Sequence, residues 1–404
     1  MTKNILVIAY HFDPSPWIGA RRWSKFSACL KQEGLNVHVL TTTDPSLQNQ
    51  PLNLDVPRKE IPRKYPEILD RTPKGLLDKI RYRIALSAVQ RQLPGSFYDR
   101  TGGMQSEWIA ALWECIEEWN IDTIIASGAP FSLLYYAALV KEKRPEINLV
   151  IDLRDPWTWG TIYGMDNLSP DRLKIEQERE LFTISQADIF TVPVDAMKQH
   201  LSEKYPEFLK KVKCLPHAFD PSELQIPVRT HDHCKMWVYY GTINKEIEEP
   251  LRAICLVLSQ NPDIRWDIFT GKPEYLHIFE EYGVADQVHF QPVIPSDELF
   301  KKLSEYDLFM CPWPDYAADF ITTKFIELFA SRLPVIHVGK SGILSNFIAE
   351  NRLGITSMPT EFAQTFGECL NRESAFPDYN SDFDVQPWSY PGETRQLLDW
   401  ISKI

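Results

Sequence analysis

The chain has 404 residues, of which 44% are apolar and 24% are charged, and these proportions are typical of a soluble globular protein. A chain of this length is expected to form two domains, because a single hydrophobic core seldom extends over so many residues. The formal net charge of −12 argues against nucleic acid as a partner.

Three further features concern the cellular compartment. No apolar run reaches the ~18 residues of a membrane-spanning helix, so none is predicted. The N-terminus leads directly into a predicted strand and lacks the pattern of a signal peptide, so we expect no secretory leader. The seven cysteines are scattered without a Cys-x-x-Cys pair, which favours a reducing, cytoplasmic location.

The chain begins with a predicted βαβ unit. Strand Asn4–Ala9, a helix from about Arg21 to Glu33 and strand Asn36–Thr41 alternate as the units of a parallel sheet do. The loop after the first strand contains Gly19, which is not part of a G-x-G-x-x-G sequence. The dinucleotide-binding fingerprint is therefore absent.

The next segment, residues 42–100, is predicted to be less regular. Its part from Arg58 to Arg100 holds eleven Lys and Arg residues against five Asp and Glu, which is opposite in sign to the whole chain. Apolar side chains such as Ile80, Tyr82 and Phe97 are interleaved with these charges. The pattern favours contact with an anionic membrane surface, and the alternative is a solvated insertion whose charges pair with acids elsewhere.

A further alternation predicts that the first sheet continues. Its elements are helix Glu107–Trp119, strand Asp122–Ser127, helix Phe131–Lys143 and strand Asn148–Leu153. Asp152, Arg154 and Asp155 stand at the end of the last strand, where ligands of open α/β sheets bind. Because charges there are costly unless paired, both a functional site and a structural Arg–Asp pair stay open.

The second half repeats the alternation after a polar linker. Strand Met236–Tyr240 ends in Gly241 and Thr242, and a second glycine turn carries Lys272. The linker contains two histidines and a cysteine without a fourth ligand at a useful spacing, so we expect no metal site.

The most informative stretch runs from Cys311 to Gly339. An apolar strand, a Pro/Trp loop with Asp319, a helix whose first turn carries hydroxyls and Lys324, and a second apolar strand follow one another. Unpaired N–H groups and the helix dipole favour an anion at such a helix start, so the pattern predicts a phosphate site. The alternative is that Lys324 and Glu327 form an ordinary surface pair.

The spacing of this stretch resembles a known signature. Asp319 and Glu327 are separated by seven residues, Thr323-Lys324 precedes the second acid, and Leu-Pro-Val-Ile follows from Leu333. This resembles the acid-x7-Glu signature of GT-B glycosyltransferases, especially the GT4-like group of bacterial surface-glycan enzymes. The resemblance implies an α/β protein of GT-B fold, with two Rossmann-like parallel-sheet domains facing a cleft.

The resemblance also implies a division of the chain. The segment Pro216–Asp220 is similar to the one that ends the N-terminal domain in these enzymes. We therefore expect an acceptor-side domain at 1–220, a linker at 221–235, a nucleotide-sugar domain at 236–386 and a helix at 387–404 that crosses back.

Roles for individual residues follow from the resemblance alone. Asp155, Asp319 and Lys324 are the implied catalytic residues, and Arg21 and Arg154 lie on the acceptor or phosphate side. In the family the second acid, here Glu327, binds the ribose, and a cation neutralises the diphosphate, with Lys324 as first choice. The implied donor-binding residues are Gly19, Gly241, Thr242, Lys272, Ile294, Thr322, Thr323 and Glu327.

The implied activity is transfer of a sugar from a nucleotide diphosphate sugar to a hydroxyl of a glycan or lipid-linked acceptor. It is expected to be retaining, to need no metal or cofactor, and to serve polysaccharide biosynthesis in the cytoplasm or on the inner membrane face. Two alternatives stay open: a nucleotide-sugar epimerase of GT-B fold, and a non-catalytic GT-B subunit that binds a sugar nucleotide or glycan.

Overall fold

The computed structural model describes residues 3–15, 18–43, 54–70, 73–160, 163–224, 234–318, 321–370 and 374–404. The chain forms two compact units. Unit 1 comprises Met1–Pro216 and Tyr390–Ile404, and unit 2 comprises His217–Ser389. Most of the expected linker, residues 225–233, lies outside the described ranges.

Unit 1 is built on a parallel sheet of seven strands in the order β3-β2-β1-β4-β5-β6-β7. Its central strands are near-continuous apolar runs because both faces of the sheet are covered. The strands are β1 (Asn4–Ile8), β2 (Asn36–Thr42), β3 (Arg58–Ile61), β4 (Thr123–Gly128), β5 (Asn148–Leu153), β6 (Ile189–Val192) and β7 (Val212–Cys214).

The helices of unit 1 include two that the sequence analysis missed, an 18-residue helix inside the segment expected to be irregular and a 17-residue helix between β5 and β6. They are α1 (Ile18–Gln32), α2 (Gly75–Gln92, the first missed helix), α3 (Gln105–Trp119), α4 (Ser132–Lys143), α5 (Pro170–Gln186, the second), α6 (Asp195–Lys204) and the C-terminal α13 (Tyr390–Ile401). The last helix packs on α1, where the rings of Phe26 and Tyr390 meet edge to face at 5.1 Å.

Unit 2 is built on a parallel sheet of six strands in the order β10-β9-β8-β11-β12-β13. The strands are β8 (Met236–Tyr240), β9 (Arg265–Phe269), β10 (Val288–Gln291), β11 (Leu308–Pro312), β12 (Val335–Val338) and β13 (Gly354–Ser357). The helices are α7 (Glu248–Gln260), α8 (Leu276–Glu281), α9 (Ser296–Lys302), α10 (Thr323–Ala330), α11 (Ile343–Glu350) and α12 (Phe362–Leu370).

The predicted α/β class with two Rossmann-like parallel sheets is confirmed by these topologies. In each sheet the strand order reverses once, between β1 and β4 in unit 1 and between β8 and β11 in unit 2. Loops leaving the two strands at such a point diverge and leave a crevice beyond their carboxyl ends, where ligands of open α/β sheets bind. None of the helices within the described ranges combines the length and apolar composition needed to cross a bilayer.

Candidate functional site

The reversal point of unit 2 holds the amine of Lys324. Lys324 is the second residue of α10, and its Nζ lies 4.3 Å from the ring centroid of Tyr239 and 5.6 Å from that of Phe309. Nζ also donates to the Tyr239 hydroxyl at 3.2 Å, and this hydroxyl donates to the carbonyl of Thr242 at 2.7 Å. Since Tyr239 and Phe309 belong to β8 and β11, the amine sits where the strand order reverses.

The described part of the chain offers this amine no carboxylate partner. Burial lowers the pKa of Lys324 to about 8, and the interaction with Cys311 opposes that shift. Within the described ranges Lys324 forms no ion pair with a carboxylate. An ammonium group held in this way is costly, and an anion bound beside it would recover the lost solvation.

A glycine turn brings backbone close to the amine. Gly241, directly after β8, has φ +103°, and a Cβ there would lie 3.6 Å from both Nζ and Cε of Lys324. A residue with a side chain would be strained at this φ and would narrow the space beside the amine. Gly241 and the following Thr242 are exposed, so a ligand in solution can reach this turn.

The start of α10 offers further polar groups. Thr322 is the N-cap residue, yet its hydroxyl makes no capping bond, and the buried Oγ1 has no hydrogen-bond partner among the described residues. Glu327 lies in the second turn and is only 6% exposed. The side chain of Thr323 and all of Asp319 lie outside the described structure, so their predicted roles stay predictions.

The two lysines that were candidates for binding the diphosphate differ in exposure and in ion pairing. The Lys272 side chain is 80% exposed and forms a 2.9 Å ion pair with Glu274. Its charge is thus already compensated by protein and solvent, whereas that of Lys324 is not. Ile294, expected near the base, is half-buried and packs against the apolar core of unit 2.

The sequence analysis did not single out His337, which lies in β12 opposite Cys311 of β11. Its side chain is buried, and neither ring nitrogen has a hydrogen-bond partner. Burial lowers the pKa of His337 to about 4, so the ring is neutral at physiological pH. The feature of the sequence that could have identified His337 is the presence of a histidine inside an otherwise apolar strand.

In unit 1, the acid at the end of β5 proves to be structural. Asp152 is fully buried and accepts from Arg22 at 3.0 and 3.2 Å and from the Trp23 indole at 2.7 Å. The hydroxyls of Ser127 and Thr191 each donate to it at 3.0 Å. Burial disfavours the Asp152 carboxylate, but the Arg22 guanidinium outweighs burial and lowers the pKa of Asp152.

Arg154 spans the reversal point of unit 1. Its Nε and Nη2 donate to the carbonyls of Gly128 and Ala129 at 3.2 and 2.7 Å, just beyond β4. A Cβ on Gly19 would lie 2.4 Å from Nη1 of Arg154, so a larger residue at this position in α1 would displace the guanidinium. Arg21 follows Gly19 on the same helix and is half-buried.

Asp155 does not pair with Arg154, which excludes the structural pair considered from the sequence. It accepts instead from the Tyr163 hydroxyl at 2.9 Å. Burial and then the neighbouring Asp155 carboxylate raise the pKa of Tyr163, so the phenol keeps its proton and donates. Tyr163 also lines a small concave pocket, together with Ser96, Tyr98, Asp99, Arg100, Ala129, Pro130, Phe131 and Met165.

Neither a protein-family model nor a curated protein sequence matches the chain. Solved structures match it over nearly its whole length. A glycosyltransferase from Rickettsia africae matches with a TM-score of 0.66 at 11% identity, covering 100% of this chain and 98% of that one. Sucrose-phosphate synthase from Thermosynechococcus elongatus has a TM-score of 0.63 at 13% identity, covering 99% and 98%. A UDP-GlcNAc 2-epimerase from Neisseria meningitidis, solved with UDP-GlcNAc, has a TM-score of 0.55 at 11% identity, covering 99% and 100%.

At these identities the likeness concerns the fold and leaves the activity to be argued from the site. Membership of the GT4-like group stays a prediction. The two parallel sheets and the nearly full-length matches together show that this chain has the GT-B fold shared by sugar-nucleotide glycosyltransferases and UDP-GlcNAc 2-epimerases.

Proposed function

We propose that this protein is a glycosyltransferase that takes its sugar from a nucleotide diphosphate sugar. The observation that carries the proposal is the amine of Lys324. It lies at the reversal point of the unit 2 sheet on a half-buried side chain, has no carboxylate partner in the described structure, and lies beside the positive-φ turn at Gly241. A diphosphate is an anion of the right kind for such a position.

The donor would be held by the start of α10 and the turn beside it. Lys324 would neutralise the charge that develops on the departing diphosphate, which is the largest contribution a protein can make to such a reaction. The unpartnered Thr322 hydroxyl is available to a phosphate oxygen. Glu327 would bind the ribose and Asp319 the sugar hydroxyls, as the resemblance to GT4-like enzymes implies.

The acceptor would approach unit 1. Asp155, whose carboxylate accepts one hydrogen bond within the described ranges, from the Tyr163 hydroxyl, has capacity for a sugar hydroxyl, and Arg154, close to Gly19 in space, presents a cation. We propose a glycan or lipid-linked acceptor and a retaining reaction. We also propose that no metal is required, because Lys324 and helix N–H groups would carry the charge of the diphosphate.

A nucleotide-sugar epimerase is the second candidate. It is favoured by the matched epimerase, whose structure contains UDP-GlcNAc. The two activities differ in their need for an acceptor, since an epimerase changes the donor alone.

The proposal is tested by incubating the protein with UDP-, GDP-, dTDP- and CMP-sugars, with and without glycan and lipid-linked acceptors. Acceptor-dependent release of nucleotide supports transfer, and isomerised donor in the absence of acceptor supports the epimerase. Donor binding without turnover would indicate a non-catalytic subunit. Lys324→Met should lose donor binding in calorimetry, whereas the matched control Lys272→Met, which removes an exposed and paired lysine, should keep it.

A further inference from the structure

Helix α2 is anchored to unit 1 by its C-terminal half. Val89 is its buried residue and packs with Leu93 and Phe97 in a small apolar cluster. Arg172 of α5 donates to the carbonyls of Leu93 and Gly95 at 2.6 and 2.9 Å, and also to that of Gln90. This anchorage fixes the direction in which the N-terminal half of α2 points.

The N-terminal half exposes an apolar stripe. Leu76, Leu77, Ile80 and Ile84 are 76%, 74%, 47% and 65% exposed, which is unusual for four such side chains on one helix. At 3.6 residues per turn the four fall within a sector of about 100°. Val89 lies on the opposite side of the helix, so the stripe points away from the protein interior.

Cations border the stripe on both sides. Lys79 and Arg83 flank it on one side and Arg81 on the other, all three are exposed, and none forms an ion pair within the described ranges. The single acid of the helix is Asp78, which is half-buried and accepts from the backbone N–H of Lys74 at 3.1 Å.

Three other cations of the segment that the sequence analysis treated as one basic patch are engaged elsewhere. Arg58 donates to the carbonyl of Asp13 at 2.7 Å, Lys59 pairs with Glu114, and Lys64 pairs with Glu107. The expected membrane contact of Phe97 was wrong, because its ring is buried. The unpaired cations are thus concentrated beside the apolar stripe of α2.

We propose that α2 docks this protein on an anionic lipid bilayer, with the stripe in the interface and Lys79, Arg81 and Arg83 at the headgroups. A convex stripe between two rows of cations fits a surface that is apolar within and anionic at its boundary. The chain as a whole carries −12, so this helix is where attraction to anionic lipid exceeds the general repulsion. The inference does not depend on the proposed glycosyl transfer.

The test is co-sedimentation of the full chain with vesicles of phosphatidylcholine alone or mixed equally with phosphatidylglycerol. Wild type should bind the mixed vesicles at about 0.1 M salt and dissociate at about 1 M, where the Debye length falls to about 3 Å. A Lys79→Gln/Arg81→Gln/Arg83→Gln variant should bind about 100-fold more weakly, from about 1 kcal/mol for each basic residue. A Leu77→Ser/Ile80→Ser/Ile84→Ser variant should lose at least about tenfold.

The matched control is Lys143→Gln/Lys174→Gln/Lys403→Gln, which removes the same charge from exposed positions on other helices or at the C-terminus of unit 1. It should bind as wild type does, and circular dichroism should show all variants folded. Equal binding by the control and the α2 charge variant, or no binding by wild type, overturns the proposal. So does a wild-type dimer in ultracentrifugation that the serine variant converts to monomer while vesicle binding is unchanged.

Discussion

Replacing Lys324 with methionine is expected to stabilise the ligand-free protein while removing nucleotide binding. Burial lowers the pKa of Lys324 from its ordinary value of 10.5 to about 8. At about 1.4 kcal/mol for each pH unit, keeping the amine charged costs about 3 kcal/mol of unfolding free energy. The 4.3 Å contact with the Tyr239 ring offsets about 1 kcal/mol of that cost. Methionine, which has no charge, should therefore raise the unfolding free energy by about 2 kcal/mol.

The pH dependence of this gain has a definite sign. Between about pH 8 and pH 10.5 the unfolded chain holds a proton on Lys324 that the folded protein has released, so wild-type stability rises with pH across this window. The advantage of the methionine variant is largest below pH 8 and disappears toward pH 10.5.

Urea denaturation of wild type and Lys324→Met at about pH 7 and about pH 10 measures the increase in unfolding free energy. The change of melting temperature on adding UDP measures nucleotide binding. Lys272→Met is the control, because that lysine is exposed and paired with Glu274. The reasoning is refuted if Lys324→Met is less stable than wild type at about pH 7, or if UDP still raises its melting temperature fully.

Four further outcomes are expected. Glu327→Ala should weaken nucleotide binding about tenfold or more, from the loss of charge-assisted hydrogen bonds of about 1.5–3 kcal/mol, and unchanged affinity in calorimetry would contradict the ribose assignment. Asp155→Asn should lower kcat and kcat/KM together while donor affinity is kept, and a near-normal kcat would make the carboxylate structural. Activity should survive EDTA, and a complete loss restored by metal would count against charge neutralisation by lysine. Arg22→Met should lower the unfolding free energy by about 3–5 kcal/mol because it leaves buried Asp152 unpaired, and urea unfolding close to that of wild type would disprove this cost.

Local sequence was sufficient to predict the strands and most helices. Runs such as Ile5–Ile8 are apolar at consecutive positions because a parallel sheet buries both faces, and this pattern is legible without knowing the partners. The alternation of strand and helix then predicts parallel pairing, and the carboxyl ends of strands predict where ligands bind. In this way Lys324 could be singled out as a candidate before its position was known.

The sequence analysis did not predict helix α2 because the apolar residues of this segment do not follow a clear helical period. Leu86 and Val89 face unit 1, while Leu76, Ile80 and Ile84 face outward, so apolar residues occur on both sides of the helix and blur its periodicity. Only the packing of the chain shows which apolar side chains are covered and which form an exposed stripe.

Which charged side chains are paired or buried also depends on the tertiary structure. Arg22 and Asp152 are separated by 130 positions in the chain, and nothing in the local sequence of either one identifies its partner. Likewise, residue type alone does not distinguish Lys324 from Lys272. One amine lies against the aromatic rings of two adjacent strands, and the other lies in solvent beside a carboxylate. The sequence by itself determined which segments form the two parallel sheets, because burial pattern is a local property. The tertiary structure decided which charges are compensated, because desolvation and pairing depend on neighbours that are distant in the chain.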